Sequence, residues 1–175
     1  MRVVVFSDTH LQRMTAEFEA FAKECLCNID AILHAGDYVS AEVVDFLGKW
    51  PFHGVHGNMD CEEIKERLPR KRIVALGKHR VGLIHGWGSA GDLEERIAQG
   101  FEGVVDVVVY GHSHRAANHV KDGVLMFNPG STTGPFIGGV FSYGILELDE
   151  HVRGRIVRAA IDAADRKIPC PRKSK

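Results

Sequence analysis

The fold is indicated first by residues 104–114, which read Val-Val-Asp-Val-Val-Val-Tyr-Gly-His-Ser-His. Five valines within seven residues are typical of a strand that is buried on both faces of a sheet. A glycine then frees the backbone, and His112 and His114 follow at positions i and i+2. In an extended chain such side chains point to the same side, so we expect both rings to face one spot. Histidine is the commonest metal ligand, so this strand end is a candidate metal site if other strand ends bring ligands to it.

Composition and length bound the class of protein. The chain has 175 residues, 45% hydrophobic and 26% charged, as in an ordinary globular domain. The formal net charge of −1 argues against a broad nucleic-acid-binding surface. The four cysteines form no CxxC pair, which is typical of a reducing cytoplasm, and there is no signal peptide and no apolar run long enough to span a membrane. We therefore expect a cytoplasmic protein with one domain over residues 1–161 and a flexible tail over residues 162–175.

Hydrophobic patterns predict strands that alternate with helices in the first half of the chain. Strands are predicted at 1–6, 31–34, 52–56, 72–76, 80–84 and 104–110, and helices at 15–26, 40–50, 61–68 and 89–101. The short connection at 77–79 predicts a hairpin. The later strands, at 119–127 around an Asp-Gly turn, 141–148 and 152–160, predict antiparallel pairing. The fold class is therefore α/β, with a mixed sheet.

Polar side chains follow five of the predicted strands, at the point where each strand ends. They are Asp8 and His10, Asp37, Asn58, His85, and His112 with His114. An interval of 27 residues separates His10 from Asp37, Asn58 from His85, and His85 from His112, which is about one strand–connection–strand unit each time. The carboxyl ends of strands in an α/β sheet line one crevice, so we expect these seven side chains to meet.

Seven side chains are more than one ion takes, and they suit two. If Asp37 bridges, one ion receives Asp8, His10, Asp37 and His114, and the other receives Asp37, Asn58, His85 and His112. Imidazole mixed with carboxylate oxygen fits manganese, iron, zinc or nickel, and fits calcium or magnesium poorly. Two such cations attract a phosphoryl group and promote in-line attack of a bridging hydroxide on phosphorus. The expected cofactors are thus two divalent transition-metal ions, with manganese first, and the expected substrate is a small phosphoester.

In this order, Asp8-x-His10, Gly36-Asp37, Gly57-Asn58, His85 and Gly111-His112-x-His114 resemble the motifs of the calcineurin-like metallophosphoesterases. With Asn128-Pro129-Gly130-Ser131 and the short chain, they are most similar to the small phosphodiesterases of the YfcE/MJ0936 type, whose eukaryotic relative is Vps29. The resemblance covers about residues 1–160. It implies a four-layer αββα sandwich of two mixed β-sheets flanked by helices, a dimetal site with the ligand division given above, and phosphoester hydrolysis. It also implies catalytic roles for Asp37, Asn58, Asp60 and His112.

The chain departs from this pattern around the phosphate. Met59 stands where many relatives have a histidine after the asparagine, and Trp87 stands where many have a second histidine. An arginine of the relatives is missing at Gly134-Pro135-Phe136. Either Asp60 or His56 could replace the missing histidine. The changes remove hydrogen-bond donors, which a dianionic monoester needs more than a diester does, so we expect diesterase activity to exceed monoesterase activity.

Two other functions fit the same motifs less fully. A Vps29-like scaffold that binds proteins without catalysis would not need all seven ligand positions. A metal-dependent nuclease would need a track for a polyanion, and the basic cluster at Lys65, Arg67, Arg70, Lys71 and Arg72 is expected to be a solvated helix–strand junction. The apolar loop at residues 134–141 suggests self-association into a dimer or tetramer. The sequence predicts no membrane partner.

Overall fold

The computed structural model describes residues 1–101, 103–133 and 141–159. The elements within these ranges are β1 (Arg2–Phe6), α1 (Ala16–Cys25), β2 (Ala31–His34), α2 (Ala41–Leu47), β3 (Phe52–Gly54), α3 (Glu62–Arg67), β4 (Lys71–Leu76), β5 (His79–Ile84), α4 (Leu93–Gln99), β6 (Val107–Val109), β7 (Ala117–Lys121), β8 (Val124–Asn128), β9 (Phe141–Leu148) and β10 (Val152–Ala159). The predicted tail, the loop at 134–136 and nearly all of the predicted self-associating surface lie outside the described residues.

The strands form two mixed sheets of five strands each. The first has the order β10-β9-β1-β2-β3 and the second has the order β4-β5-β6-β8-β7. Pairing is parallel between β1 and β2, β2 and β3, β5 and β6, and β6 and β8. It is antiparallel in the other four pairs, including the predicted hairpin of β4 and β5. The two mixed sheets, with helices on their outer faces, confirm the predicted fold class.

Alternation along β1 shows how the layers are held together. Val3 and Val5 point into a core between the two sheets, whereas Val4 and Phe6 point the other way, into a core beneath α1 and α2. A third core packs α4 on the outer face of the second sheet through Leu93. Because successive side chains of a strand face opposite sides, each buried strand serves two cores at once. The order helix–sheet–sheet–helix follows from this.

Some predicted elements are shorter in the structure. The valine strand has only the three residues of β6, because Asp106 lies in the preceding loop, where its carboxylate accepts the N–H of Arg80 at 2.7 Å. Helix α4 begins at Leu93 and not near residue 89, because the preceding segment turns around Arg96, whose guanidinium donates to the carbonyl oxygens of Trp87 and Ser89. Both differences come from contacts between distant residues, which hydrophobic patterns do not report.

No helix in the described ranges is long and apolar enough to cross a membrane. The longest, α1, has 10 residues, whereas a bilayer requires about 20.

The carboxyl ends of the parallel strands in both sheets meet along one line. The Gly111 N–H, after β6, donates to the carbonyl oxygen of His85, after β5, at 3.1 Å. In the first sheet the Asp8 N–H donates to the carbonyl oxygen of Gly36 at 3.0 Å. The sheets approach so closely here that a Cβ atom at Gly111 would overlap Ser7 Oγ and lie 2.7 Å from Asp8 Oδ2. Glycine is therefore required at the point where the two sheets bring their loops together.

Candidate metal centre

The loops that follow the strands hold the predicted ligands in an unusual backbone conformation. Five of the seven have positive φ: Asp8 (52°), His10 (45°), Asp37 (59°), His112 (68°) and His114 (55°). The expectation that each pair is presented by an extended chain is therefore wrong, although the side chains do converge. Non-glycine residues in the left-handed region cost on the order of 1–3 kcal/mol each and cluster at functional sites. The backbone of these loops thus places the side chains of the cluster, and this conformation lowers the stability of the fold.

One half of the cluster contains Asp8, His10 and His114. The Nε2 atoms of the two histidines lie 3.0 Å apart, and His114 Nε2 and His10 Nε2 lie 3.2 and 3.7 Å from Asp8 Oδ1. Ligand atoms at about 2.0–2.2 Å from one ion are separated by roughly 3 to 3.6 Å. The observed separations are close to this range, so the three side chains fit a shared ion.

The two oxygens of Asp8 have different surroundings. Oδ2 accepts hydrogen bonds from Ser7 Oγ at 2.5 Å and from the His112 N–H at 3.2 Å. Oδ1 is buried and accepts no hydrogen bond from any residue that the structure describes. A buried carboxylate oxygen without a donor is costly unless a cation satisfies it. Asp8 therefore presents one oxygen that is suited to a metal ion.

The other half of the cluster contains Asp37, Asn58, His85 and His112. His85 Nε2 lies 3.2 Å from Asp37 Oδ2 and 3.1 Å from Asn58 Oδ1, and His112 Nδ1 lies 3.0 Å from the same amide oxygen. Asp37 Oδ2 is also 3.8 Å from His10 Nε2, so this oxygen lies between the two halves. The ligand atoms of Asp8, Asp37 and His85 all lie within 4.8 Å of one another. The structure thus brings all seven predicted side chains together, and their role as metal ligands stays a prediction.

Backbone carbonyl groups orient two of the imidazole rings. His85 Nδ1 lies 2.7 Å from the carbonyl oxygen of Ala35, and His112 Nε2 lies 2.9 Å from that of Gly88. A carbonyl oxygen only accepts, so each of these ring nitrogens carries the proton. The unprotonated nitrogen of a neutral ring then faces the cluster, as is common for histidines that bind metals.

The acidic residues and histidines of the cluster shift one another's pKa toward the charged form. Burial by itself would raise the pKa of Asp8, but the close contacts of its carboxylate with His10 and His114 hold that pKa far below its usual value. The pKa of Asp37 is also lowered, since its contact with His85 outweighs the effect of burial. Contact with Asp37 and the charge of Asp8 raise the pKa of His85 although burial lowers it, and the contact with Asp8 raises the pKa of His114. Both carboxylates are therefore ionised at neutral pH, as metal ligands must be.

Asp60 uses its carboxylate to hold backbone N–H groups, and the catalytic role expected of it stays a prediction. It is buried, and Oδ2 accepts the N–H groups of Asp37 at 3.0 Å and Gly57 at 2.7 Å. Oδ1 accepts the Val39 N–H at 2.8 Å. Both oxygens are thus used by the loops that carry Asp37 and Asn58. Asp60 is a positioning residue for these two loops.

The neighbours of Asn58 differ in their access to the cluster. Met59 is 58% exposed, and its N–H donates to Asp37 Oδ1 at 2.8 Å. His56 is half-buried and lines a groove together with Asn58 and His85. Of the two candidates for the place of the missing histidine, His56 is therefore the one beside the cluster.

Several polar residues that position the loops were not predicted from the sequence. Ser131 Oγ donates to the carbonyl oxygen of Asp8 at 2.9 Å, and Thr133 Oγ1 donates to that of Thr9 at 2.6 Å. Asn128 Nδ2 donates to the carbonyl oxygen of Gly111 at 3.0 Å. His34, at the end of β2, is also fully buried, and burial lowers its pKa to about 3. The polar run after β8 was a signal for these contacts, but it does not say which loop each side chain reaches.

Comparison with known proteins gives the family. Residues 1–151 match the calcineurin-like phosphoesterase superfamily domain. The chain belongs to this superfamily. A probable metallophosphoesterase of Methanothermobacter thermautotrophicus is 34% identical over 137 residues, 77% of this chain and 79% of that protein. The phosphodiesterase MJ0936 of Methanocaldococcus jannaschii is 29% identical over 172 residues, 90% of this chain and 99% of that protein.

A solved structure with the same fold is that of wild-type Vps29 from Entamoeba histolytica, complexed with Zn²⁺. Its TM-score is 0.66 at 24% identity, with 90% of this chain and 99% of that chain covered. Calcineurin-like phosphoesterases are metal-dependent hydrolases, and the described residues contain candidate ligand groups of the matching kind. The predicted resemblance is confirmed.

Proposed function

We propose that this chain is a phosphodiesterase that uses two divalent transition-metal ions. The observation that carries the proposal is the convergence of seven metal-competent side chains from five strand ends. One of their oxygens, the buried Asp8 Oδ1, accepts no hydrogen bond from the described residues. The relatives named as metallophosphoesterases and as a phosphodiesterase support a hydrolase. When bound, two such ions supply an activated water and positive charge for the leaving oxygen.

The chain's own residues have separate tasks in this proposal. His10 and His114 would hold one ion with Asp8, and His85 and His112 would hold the other with Asn58. Asp37, whose Oδ2 lies between the halves, would hold both.

Asn58 would also contact the substrate. Its amide oxygen lies at 3.1 Å from His85 Nε2 and 3.0 Å from His112 Nδ1, which leaves Nδ2 free to donate to a phosphoryl oxygen. His56, in the adjoining groove, would donate a proton to the leaving group.

The scaffold alternative shares the fold with this proposal. Because a Vps29 has been crystallised with Zn²⁺, metal binding alone does not separate the two functions. Turnover is the deciding measurement. The nuclease alternative needs a continuous basic track, yet Arg67 is paired with Asp45 at 2.5 Å and with Glu63 at 3.3 Å, and Lys71 Nζ donates to the carbonyl oxygen of Gly100. Only part of the basic cluster is therefore available to an anion.

The test is hydrolysis of bis(p-nitrophenyl) phosphate by protein that has been stripped of metal and reloaded with Mn²⁺, Fe²⁺, Zn²⁺ or Ni²⁺. We expect turnover with at least one of these metal ions. In Asp37→Ala the rate of diester hydrolysis should fall about a hundredfold or more, because both halves of the centre lose a ligand. Asp45→Ala, an exposed acid outside the centre, is the control. A folded wild-type protein that binds metal but hydrolyses no diester would favour the scaffold.

A further inference from the structure

A groove of about 240 Å³ opens directly beside the half of the metal centre that contains Asn58 and His85. It shares Asn58 and His85 with the centre, so a molecule bound in the groove touches the residues proposed to hold the second ion. The other side chains that matter for its chemistry are His56, Lys65, Arg70 and Trp87. Nothing in the family motifs requires these four residues.

The lining of the groove is basic. Lys65 and Arg70 supply two positive charges, His56 adds an imidazole, and no acidic side chain is among the lining residues. Arg70 forms no ion pair with any part of the chain that the structure describes, whereas its neighbour Arg67 is paired twice. Among the described residues, Lys65 is paired with Glu62 alone, at 2.7 Å, and Glu62 is 83% exposed. Such surface pairs are weak and exchange readily for a better partner.

Trp87 orients the guanidinium of Arg70. The Arg70 Cζ atom lies 5.1 Å from the centroid of a Trp87 ring, which is a cation–π contact. The Trp87 loop is itself held, because Arg96 Nη2 donates to the Trp87 carbonyl oxygen at 2.6 Å. A stacked guanidinium keeps its planar set of donors available for a phosphate, with less conformational freedom to lose on binding. Trp87, which stands where many relatives have a second histidine, thus positions the side chain of Arg70.

We propose that this groove binds a second phosphate of the substrate, apart from the phosphoryl group that is cleaved. The substrate class is then a small phosphodiester that carries a terminal phosphate, such as a phosphorylated dinucleotide. Arg70, with Lys65, supplies charge that the chain lacks at the places where its relatives have a histidine and an arginine. This inference rests on the proposed phosphodiesterase function and makes it more specific.

The first test compares the dinucleotide thymidylyl-thymidine with its 5′-phosphorylated and 3′-phosphorylated forms. We expect one phosphorylated form to have a kcat/KM about tenfold higher or more, mainly through a lower KM, as for charge-assisted hydrogen bonds to one phosphate. In Arg70→Ala the ratio of phosphorylated to unphosphorylated substrate should fall to about one, and Arg70→Lys should restore part of it. Arg67→Ala, on the same segment but outside the groove, should keep the wild-type ratio.

The second test does not depend on turnover. Trp87 is one of two tryptophans, so metal-free protein titrated with the phosphorylated dinucleotide should show a saturable change in fluorescence. Trp87→Phe should remove the fluorescence change, and Arg70→Ala should raise the dissociation constant for the phosphorylated dinucleotide about tenfold or more. Equal kcat/KM for all three dinucleotides, or a preference that survives in Arg70→Ala, would overturn the inference alone. No hydrolysis of any diester, with the fluorescence change present, would overturn the phosphodiesterase proposal and leave a phosphate-binding groove.

Discussion

The carboxylate of Asp60 holds the backbone of Asp37 in place, since Asp60 Oδ2 accepts the Asp37 N–H at 3.0 Å. The same carboxylate accepts two further N–H groups, from Gly57 and Val39. An acid that looks catalytic in the sequence therefore fixes the loops that present Asp37 and Asn58.

Asp60→Ala should destabilise the metal-free protein by roughly 2–4 kcal/mol, because two buried N–H groups and one partly buried N–H group lose their acceptor. The loss of stability in Asp60→Asn should be smaller than in Asp60→Ala but still measurable, since the amide keeps one acceptor oxygen while its NH₂ group cannot accept from the N–H that it faces. Urea unfolding measures the stability, and Glu62→Ala, an exposed acid on α3, is the control that should change little. Wild-type stability in Asp60→Ala would mean that these hydrogen bonds do not hold the loops.

Replacing His114 should empty mainly one half of the centre. His114 lies beside His10 and Asp8, whereas His112 contacts Asn58, so His114→Ala should reduce bound metal from about two ions to about one per chain. Elemental analysis after dialysis gives the count. His119→Ala is the control, because His119 is an exposed histidine paired with Glu94. Loss of both ions, or of neither, would contradict the division of the ligands.

The contact between the two sheets should not tolerate a methyl group at Gly111. A Cβ there overlaps Ser7 Oγ and lies 2.7 Å from Asp8 Oδ2, so Gly111→Ala should displace Asp8 and destabilise the fold by about 1–3 kcal/mol. The matched substitution is Gly91→Ala, where the nearest atom is Ser89 Oγ at 3.8 Å. Metal affinity and thermal unfolding should fall in the first variant and stay unchanged in the second. Equal behaviour of the two variants would show that this contact is not tight.

Diesters should be better substrates than monoesters. Met59 has no side-chain hydrogen-bond donor. The missing hydrogen bond should weaken binding of a dianionic monoester more than binding of a diester, which carries less charge. We expect kcat/KM for bis(p-nitrophenyl) phosphate to exceed that for p-nitrophenyl phosphate by about tenfold. Because Met59 is 58% exposed, Met59→His has room for a ring and should raise monoester turnover selectively. Faster monoester hydrolysis by the wild-type protein would refute this prediction.

The seven cluster residues could be predicted from the sequence because each follows a strand, and strand ends meet at the edge of a sheet. The predicted geometry was wrong, since an extended chain was assumed where His112 and His114 have φ of 68° and 55°. A left-handed backbone at a histidine is not visible in a sequence pattern. It depends on hydrogen bonds from other loops, such as the Asn128 side chain to Gly111.

The groove could not be predicted for a similar reason. Arg70 and Trp87 are 17 positions apart, and their contact depends on how β4 and β5 pair and on the loop held by Arg96. The basic cluster from Lys65 to Arg72 was predicted to be solvated throughout. The structure divides that cluster, with Arg67 paired to acids on the surface and Lys65 and Arg70 lining the groove beside the centre. Neighbours in sequence therefore differ in chemistry because they face different partners.

The most direct measurement of the central claim is anomalous diffraction from crystals of the protein soaked in Mn²⁺. We expect two anomalous peaks about 3.5–4 Å apart. One should lie next to His10 and His114, the other next to His85 and Asn58, with the Asp37 carboxylate between them. A single peak, or none at these side chains, would contradict a two-metal centre.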